Sequence, residues 1–282
     1  MKLWAWGQSD PGKKRERNED SYLVDPETGV LAVADGMGGH QGGATASRMA
    51  IDQLAKELSE ARGDFDAAVW SHRGGTVRNT EEMAAVADTL DDAAATQPNE
   101  PTAALFSPAL EVMRGVVRRA SGAIFEHAWA KPELRGMGTT LTALLLHGGK
   151  AHLVHAGDSR CYLFRDGELR QISEDHSWVA EQMKIGALTL EEAKQSKFRH
   201  VITKSIGFER DADADLKSVT VSPGDCFLLC SDGMSNYVEH GELERIIAMT
   251  WIRKLPETLI ALANDRGGDD NITVVVGLVS NA

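Results

Sequence analysis

The sequence of 282 residues has no apolar run that approaches the ~20 residues needed to span a membrane. Its N-terminal stretch also lacks the charged-then-apolar pattern of a secretory signal. From these two absences we expect no membrane span and no export signal.

An excess of positive charge is also missing. Lys and Arg number 30 against 42 Asp and Glu, which gives a formal net charge of −12. A nucleic-acid partner would favour a basic face, so none is expected. The acidic balance instead suits a protein that holds cations.

Cysteine is scarce. Cys161, Cys226 and Cys230 are the three in the sequence, and each lies in apolar, strand-like surroundings. An odd number in such surroundings favours buried free thiols over zinc ligands or a disulfide. Free thiols suit a reducing compartment, so a cytoplasmic location is expected.

The hydrophobic content of 42% is enough for one large domain or two small ones. Short apolar runs predict strands, and apolar residues at helical spacing predict helices. The predicted strands are 3–6, 21–24, 30–34, 141–146, 151–155, 161–165, 169–172, 226–230 and 272–278. The predicted helices are 51–58, 110–128, 178–185, 190–194, 243–251 and one that begins at Pro256.

Two regions lack such periodicity. The glycine-rich stretch 36–43 predicts a loop without regular structure. Residues 63–107 are rich in Ala, Asp, Thr and Pro, which predicts an exposed loop with a short acidic helix at 83–92. This insertion is interpreted either as a docking or regulatory element or as a passive surface loop.

Four aspartates lie where apolar runs stop: Asp35, Asp158, Asp232 and Asp270. A single such Asp is usually a turn residue. Four of them, joined by Asp20, are better explained as oxygen ligands for divalent cations such as Mg²⁺ or Mn²⁺. Two such ions could share and ionise a water and could clamp a phosphoryl group.

A basic loop precedes Glu19 and Asp20 and contains Lys13, Lys14, Arg15 and Arg17. An Arg fork matches two phosphate oxygens, so the loop could bind a phosphate. The alternative is a solvated surface loop in an acidic protein.

Together these segments resemble the bacterial metal-dependent (PPM, type 2C) protein Ser/Thr phosphatases. The matching segments, in the family's order, are 15–21, 35–40, 136–140, 157–160, 174–177, 230–233 and 267–273. The resemblance implies an α+β fold, a four-layer α-β-β-α sandwich of two central, mostly antiparallel sheets flanked by helix pairs. It implies a single domain over residues 1–282, with the insertion at about 63–107 and a flap at about 179–205.

The resemblance also implies roles for individual residues. Asp35 would bridge two Mn²⁺ or Mg²⁺ ions, one of them also held by Asp232 and Asp270 and the other by the carbonyl of Gly36. Asp20 and Glu19 would act near the ions, largely through water, and Arg15 would bind the phosphate. Asp158 with Asp232 would hold a third ion.

Two positions depart from the family pattern. Met37 stands where animal members carry a His proposed as the general acid, and His40 is nearby in the sequence. A direct acid role for His40 and a supporting role both stay open, with a metal-bound water favoured as the proton source. Asn236 stands where some members have an acidic ligand for the third ion. The remaining histidines and the six tryptophans are interpreted as structural, the tryptophans as core or interface anchors.

The implied activity is hydrolysis of phosphoserine and phosphothreonine in proteins by direct attack of a hydroxide held between two ions. The expected partners are phosphoprotein substrates and a cognate Ser/Thr kinase that the enzyme opposes, and a monomer is expected. Two alternatives stay open, namely an inactive scaffold and a hydrolase for small phosphorylated metabolites.

Overall fold

The computed structural model describes residues 1–38, 42–74 and 107–281. Its strands are β1 (Lys2–Asp10), β2 (Ser21–Asp25), β3 (Val30–Ala34), β4 (Gly36–Met37), β5 (Gly138–Thr139), β6 (Leu141–His147), β7 (Lys150–Ala156), β8 (Arg160–Arg165), β9 (Glu168–Gln171), β10 (Asp215–Thr220), β11 (Cys226–Cys230) and β12 (Ile272–Ser280). Its α-helices are α1 (Gly42–Gly74), α2 (Pro108–Ala130), α3 (Trp178–Lys184), α4 (Leu190–Gln195), α5 (Asp232–Ser235), α6 (His240–Met249) and α7 (Leu255–Asp265).

Ten of these strands form two antiparallel sheets. One sheet has the order β1-β12-β11-β8-β9, and the other has the order β10-β7-β6-β3-β2. In the first sheet, the chain's two ends pair along their whole length, from Lys2 opposite Ser280 to Asp10 opposite Ile272. The strands β4 and β5 form a separate two-stranded sheet.

The two large sheets pack face to face through apolar side chains such as Leu31, Val33, Phe227 and Leu229. The helices α1 and α2 cover the outer face of the sheet that contains β3, and α6 and α7 cover the other outer face. Strands β3 and β11 are buried along their whole length, which explains why each is a continuous apolar run. The predicted four-layer α+β sandwich is confirmed.

Most predicted elements are present, but β10 was missed. It is an edge strand, and its burial alternates between exposed and half-buried positions, so its sequence contains no apolar run. The glycine-rich loop was also predicted wrongly in part. Gly36 and Met37 form the strand β4 by pairing with Thr139 and Gly138, which lie about 100 residues away, so no local pattern indicates this strand.

The helix α1 is longer than predicted. It continues to Gly74, so the prediction of a loop from residue 63 is wrong for residues 63–74. The rest of the insertion, including the helix predicted at 83–92, lies outside the described residues, and so does His40.

The cysteine prediction is confirmed, since all three are free and buried. Trp129 and Trp251 are 71% and 72% exposed, so neither is a core anchor, and a role as an interface anchor stays a prediction for both. Among the described helices, none combines the length and the apolar character that crossing a bilayer requires.

Candidate active site

One end of the sandwich carries a cavity of about 630 Å³. The strands β3, β7 and β11 end on this side and β12 begins there, which brings distant parts of the chain to the same place. The lining includes seven of the predicted site residues: Arg15, Glu19, Asp35, Gly36, Asp158, Asp232 and Asp270. Met37 also lines the cavity.

Asp35 directly follows β3, and its backbone is held in place by a pair of threonines. The N–H group of Asp35 donates to the hydroxyl of Thr140 at 2.9 Å, and its carbonyl group accepts from the Thr139 hydroxyl at 2.8 Å. Burial, followed by the nearby carboxylates of Asp20 and Asp232, raises the pKa of Asp35 well above its usual value. The threonines of the 136–140 motif therefore position the backbone of Asp35.

Asp20 lies below the cavity floor and is only 9% exposed. Its Oδ2 atom accepts from the hydroxyls of Ser231 at 2.8 Å and Thr273 at 2.6 Å, while its buried Oδ1 has no protein partner. Burial raises the pKa of Asp20 to about 7, although the two hydroxyl bonds act in the opposite direction. The sequence placed both hydroxyls in family motifs but did not indicate that they hold Asp20.

Two further carboxylates each keep one buried oxygen without a partner, Oδ1 of Asp158 and Oδ1 of Asp232. The other oxygen of Asp232 accepts from Asn236 Nδ2 at 3.2 Å. Burial, followed by Asp232, raises the pKa of Asp158 to about 7, and burial followed by Asp270 raises the pKa of Asp232. Burial and the negative charge of neighbouring carboxylates therefore both disfavour the charged form of these acids.

Arg15 and Asp270 meet at the cavity wall. The guanidinium Nη2 atom donates to Oδ2 of Asp270 at 2.8 Å, and Oδ1 of Asp270 accepts from the N–H group of Asn271 at 2.9 Å. Both side chains of the ion pair are partly exposed to the cavity, so Arg15 can reach an incoming anion.

Asn271 holds the basic loop through its side chain, a role that the sequence did not predict. Its Nδ2 group donates to the carbonyls of Pro11 and Arg17, and its Oδ1 accepts from the N–H group of Glu19 at 2.8 Å. One buried amide therefore fixes both ends of the basic loop. Its place after two aspartates in the 267–273 motif was the available signal.

The glycines at the cavity allow chain segments to approach closely. A Cβ atom at Gly36 would lie 2.3 Å from the carbonyl oxygen of Gly43, and one at Gly43 would lie 2.1 Å from Oε2 of Glu19. The side chain of Glu19 therefore packs against the start of α1, beside Gly36. A larger residue at Gly43 would push this carboxylate away, whereas one at Gly36 would clash with the backbone carbonyls of Gly43 and Glu19.

The donor set fits hard divalent cations. It consists of carboxylate and carbonyl oxygens, and Asp20, Asp158 and Asp232 each contribute a buried oxygen that lacks a partner. Within residues 1–38, 42–74 and 107–281, no three His, Cys, Asp or Glu side chains already stand together as a complete ligand group. Hydroxyl groups occupy one oxygen of Asp20 and Arg15 pairs with Asp270, whereas the unpaired oxygens of Asp20, Asp158 and Asp232 remain available to a cation.

The segment predicted as a flap contains α3 and α4 and the loop that follows them. His200 and Ile202 from this loop line the cavity opposite the carboxylates. The rings of Trp178 and Phe198 pack against each other at 5.0 Å between centroids.

Comparison with known proteins identifies the family. The protein phosphatase 2C family matches residues 12–266, and the chain belongs to this family. A serine/threonine protein phosphatase PstP of Mycobacterium tuberculosis is 35% identical over 95% of the chain, but the chain spans only 43% of the length of that relative. A serine/threonine phosphatase stp of Listeria monocytogenes is 31% identical, with 95% of the chain and 93% of the relative covered.

A solved structure has the same architecture. The catalytic domain of PstP in complex with two manganese ions superposes with a TM-score of 0.76 at 32% identity, over 99% of both chains. The described fold and the solved phosphatase therefore agree across essentially the whole domain.

Proposed function

We propose that the chain hydrolyses phosphoserine and phosphothreonine in proteins by a direct displacement that depends on two Mn²⁺ or Mg²⁺ ions. The observation that carries this proposal is the group of buried carboxylate oxygens without partners, gathered around one cavity that Arg15 also lines. The names of the curated relatives and the two manganese ions of the PstP structure support it.

In this proposal Asp35 would hold both ions, Asp232 and Asp270 would hold one of them, and the Gly36 carbonyl would hold the other. Asp20 and Glu19 would act close to the ions, and Asp158 with Asp232 would hold a third. When bound, the ions supply positive charge for the phosphoryl oxygens and lower the pKa of water. The proposal is supported by the carboxylates of the cavity, which repel one another when no cation is bound and so raise the pKa values of Asp35 and Asp232.

Arg15 is proposed to bind the phosphoryl group. Its planar donor fork suits two phosphate oxygens, and its present partner is an acid of the same cavity. An incoming phosphate would replace Asp270 as the acceptor. This exchange leaves Asp270 free to accept a cation.

A covalent cysteinyl intermediate is not part of the proposal. All three cysteines are buried in strands, and burial raises the pKa of the Cys226 and Cys230 thiols to about 12. A thiol with so high a pKa is hardly ever a thiolate at neutral pH. The cysteines are therefore unsuited to attack phosphorus.

The substrates are proposed to be phosphoproteins, and the enzyme is proposed to oppose a Ser/Thr kinase and to act as a monomer. The names of the curated relatives, which are protein phosphatases, support the protein substrate class. A panel of phosphopeptides and small phosphoesters tests the substrate class. Faster hydrolysis of the small phosphoesters would favour a metabolite hydrolase instead.

The direct test replaces ligands. Asp35→Asn and Asp232→Ala should each lower Mn²⁺-dependent hydrolysis of an aryl phosphate and of a phosphothreonine peptide by at least about 100-fold. Circular dichroism checks that both variants remain folded. Asp265→Asn is the matched control, since Asp265 is exposed on the surface and pairs with Lys13. Full activity in either ligand variant would contradict the proposed site.

A further inference from the structure

His176 lies directly against the bend that carries Asp158. The N–H group of Gly157 donates to Nδ1 of the His176 ring at 3.1 Å, and the N–H group of His176 donates to the Gly157 carbonyl at 2.8 Å. Gly157 immediately precedes Asp158 in the chain. Two hydrogen bonds with His176 therefore hold the backbone immediately before Asp158.

The bend cannot easily move away from His176. Gly157 has φ +123°, and a Cβ atom there would lie 2.5 Å from Cβ of Thr140. Thr140 thus closes one side of the bend and His176 holds the other. The position of Asp158 depends on both.

The hydrogen bonds determine the tautomer of the ring. A backbone N–H group only donates, so Nδ1 of His176 accepts and a neutral ring carries its hydrogen on Nε2. Nε2 lies 3.1 Å from Oδ2 of Asp215, which accepts that hydrogen. The ring of His155 stacks on the same imidazole, with 4.8 Å between centroids, and holds its plane.

The same residue also holds the flap. The carbonyl of His176 accepts from the N–H group of Thr203 at 2.9 Å, and the next residue, Ser177, forms a β-bridge with Ile202. Asp215, the partner of the ring, also binds Lys204 at 2.6 Å. Ile202 lines the cavity, so these contacts place a cavity wall.

We propose that His176 is a positioning residue that couples the flap to the Asp158 carboxylate. Its Nδ1 atom and backbone hold the Gly157–Asp158 bend, while its carbonyl and its Nε2–Asp215 contact hold residues 202–204. This inference rests on the proposed function, in which Asp158 binds a cation and the flap borders the substrate. One residue thereby holds both the bend that carries a proposed cation ligand and the flap.

Two substitutions separate the two halves of this role. Asn places its amide oxygen near the position of Nδ1, so His176→Asn keeps an acceptor for the Gly157 N–H group but loses the donor to Asp215. Gln extends its amide nitrogen toward the position of Nε2, so His176→Gln keeps the donor to Asp215 but loses the acceptor for Gly157. His176→Ala loses both.

The first readout is amide hydrogen exchange at Gly157, in the chelated and the Mn²⁺-loaded protein. His176→Gln and His176→Ala should exchange this amide at least about 10-fold faster than the wild type, whereas His176→Asn should stay within about 3-fold. The second readout is the Mn²⁺ concentration for half-maximal activity, which should rise about 10-fold in His176→Gln and His176→Ala.

The third readout is KM for a phosphothreonine peptide. His176→Asn and Asp215→Asn should both raise KM several-fold and leave the Mn²⁺ requirement close to that of the wild type, because each loosens the flap alone. His152→Asn is the control, since His152 is a buried histidine that bonds Ser218 on β10, whereas His176 is partly buried. It should change neither KM nor the exchange of Gly157.

Unchanged exchange at Gly157 in both His176→Gln and His176→Ala would overturn the inference. Equal acceleration at Gly157 and at core amides such as that of Val154 would also overturn it, because it would indicate a general loss of stability. If the wild type itself shows no Mn²⁺-dependent hydrolysis, the proposed function fails, whereas the exchange data still decide what His176 holds. If His176→Ala does not fold, the Asn and Gln variants give the same decision.

Discussion

Buried acids occur in two different settings in this molecule. Asp225, which precedes β11, is 1% exposed, and both its oxygens accept hydrogen bonds, from Nε and Nη2 of Arg165 and from the N–H group of Ser222. At the cavity, Asp20 is buried and Asp158 is partly buried, yet each keeps a buried oxygen with no protein partner.

The difference between the two settings separates structure from function. Burying a carboxylate costs free energy unless a donor or a cation compensates for it. Arg165 supplies that compensation for Asp225. At the cavity no described residue compensates the unpaired carboxylate oxygens, so a bound ligand would have to do so. This is the property expected of a cation site.

The largest effect on stability is expected from removing Asp225, the acid whose charge the protein itself compensates. Asp225→Ala leaves Arg165 and the Ser222 N–H group without their acceptor, so the free energy of unfolding should fall by about 3 kcal/mol. Urea unfolding measures this, with Mn²⁺-dependent activity per folded molecule as the control. A loss well below 1 kcal/mol would show that Arg165 and Ser222 do not compensate Asp225, and the contrast with the cavity acids would fail.

The cavity acids should behave in the opposite way. The pKa values of Asp20 and Asp158 are raised to about 7, above the usual 3.8, so the folded chelated protein holds protons that the unfolded chain releases. Its stability should therefore fall as the pH rises from about 4 to about 7. Asp158→Asn should weaken this fall and stabilise the chelated protein at pH 8 by roughly 2 kcal/mol.

Urea unfolding of the chelated wild type and Asp158→Asn at several pH values tests this prediction. Excess Mn²⁺ provides the control, because bound cations should remove the advantage of the variant. A chelated wild type that becomes steadily more stable from pH 4 to pH 7, with no gain in the variant, would mean that these acids are compensated by groups within the protein.

The smallest effect concerns partial compensation. Thr273→Val removes one of the two hydroxyls on Asp20 Oδ2 and leaves Ser231. Stability should fall by only about 1 kcal/mol, while the Mn²⁺ concentration for half-maximal activity should rise about 10-fold. Ser121→Ala is the control that also removes a buried hydroxyl, because Ser121 bonds Gly207 and Glu209 and does not contact Asp20. Equal Mn²⁺ requirements in both variants would show that the Thr273 hydroxyl does not position Asp20.

Sequence patterns predicted the elements that are apolar on their own. The strands β3 and β11 were predicted with their observed bounds, because strands covered on both faces are continuous apolar runs. The edge strand β10 was missed, since only pairing with β7 makes it a strand. The end of α1 was misplaced because helical periodicity weakens beyond residue 61.

The site divides in the same way. The acids stood out in the sequence because carboxylates and glycines at the ends of apolar runs are unusual, whereas Arg15 was assigned by the resemblance to the family. The supporting groups did not, since an amide such as Asn271 or a ring such as His176 carries no local signal of its partners. Those partners lie 254 positions away for Asn271 and Arg17, and 39 for His176 and Asp215.

The amino-acid sequence alone determined the layered α+β fold, the family, and the identity of the cavity acids, because apolar periodicity and short motifs are local properties. Tertiary structure alone decided which acids lose their compensation, which hydroxyls and amides hold them, and how the flap reaches Asp158. Burial and hydrogen bonding depend on segments far apart in the chain, and only the packing of the two sheets brings them together.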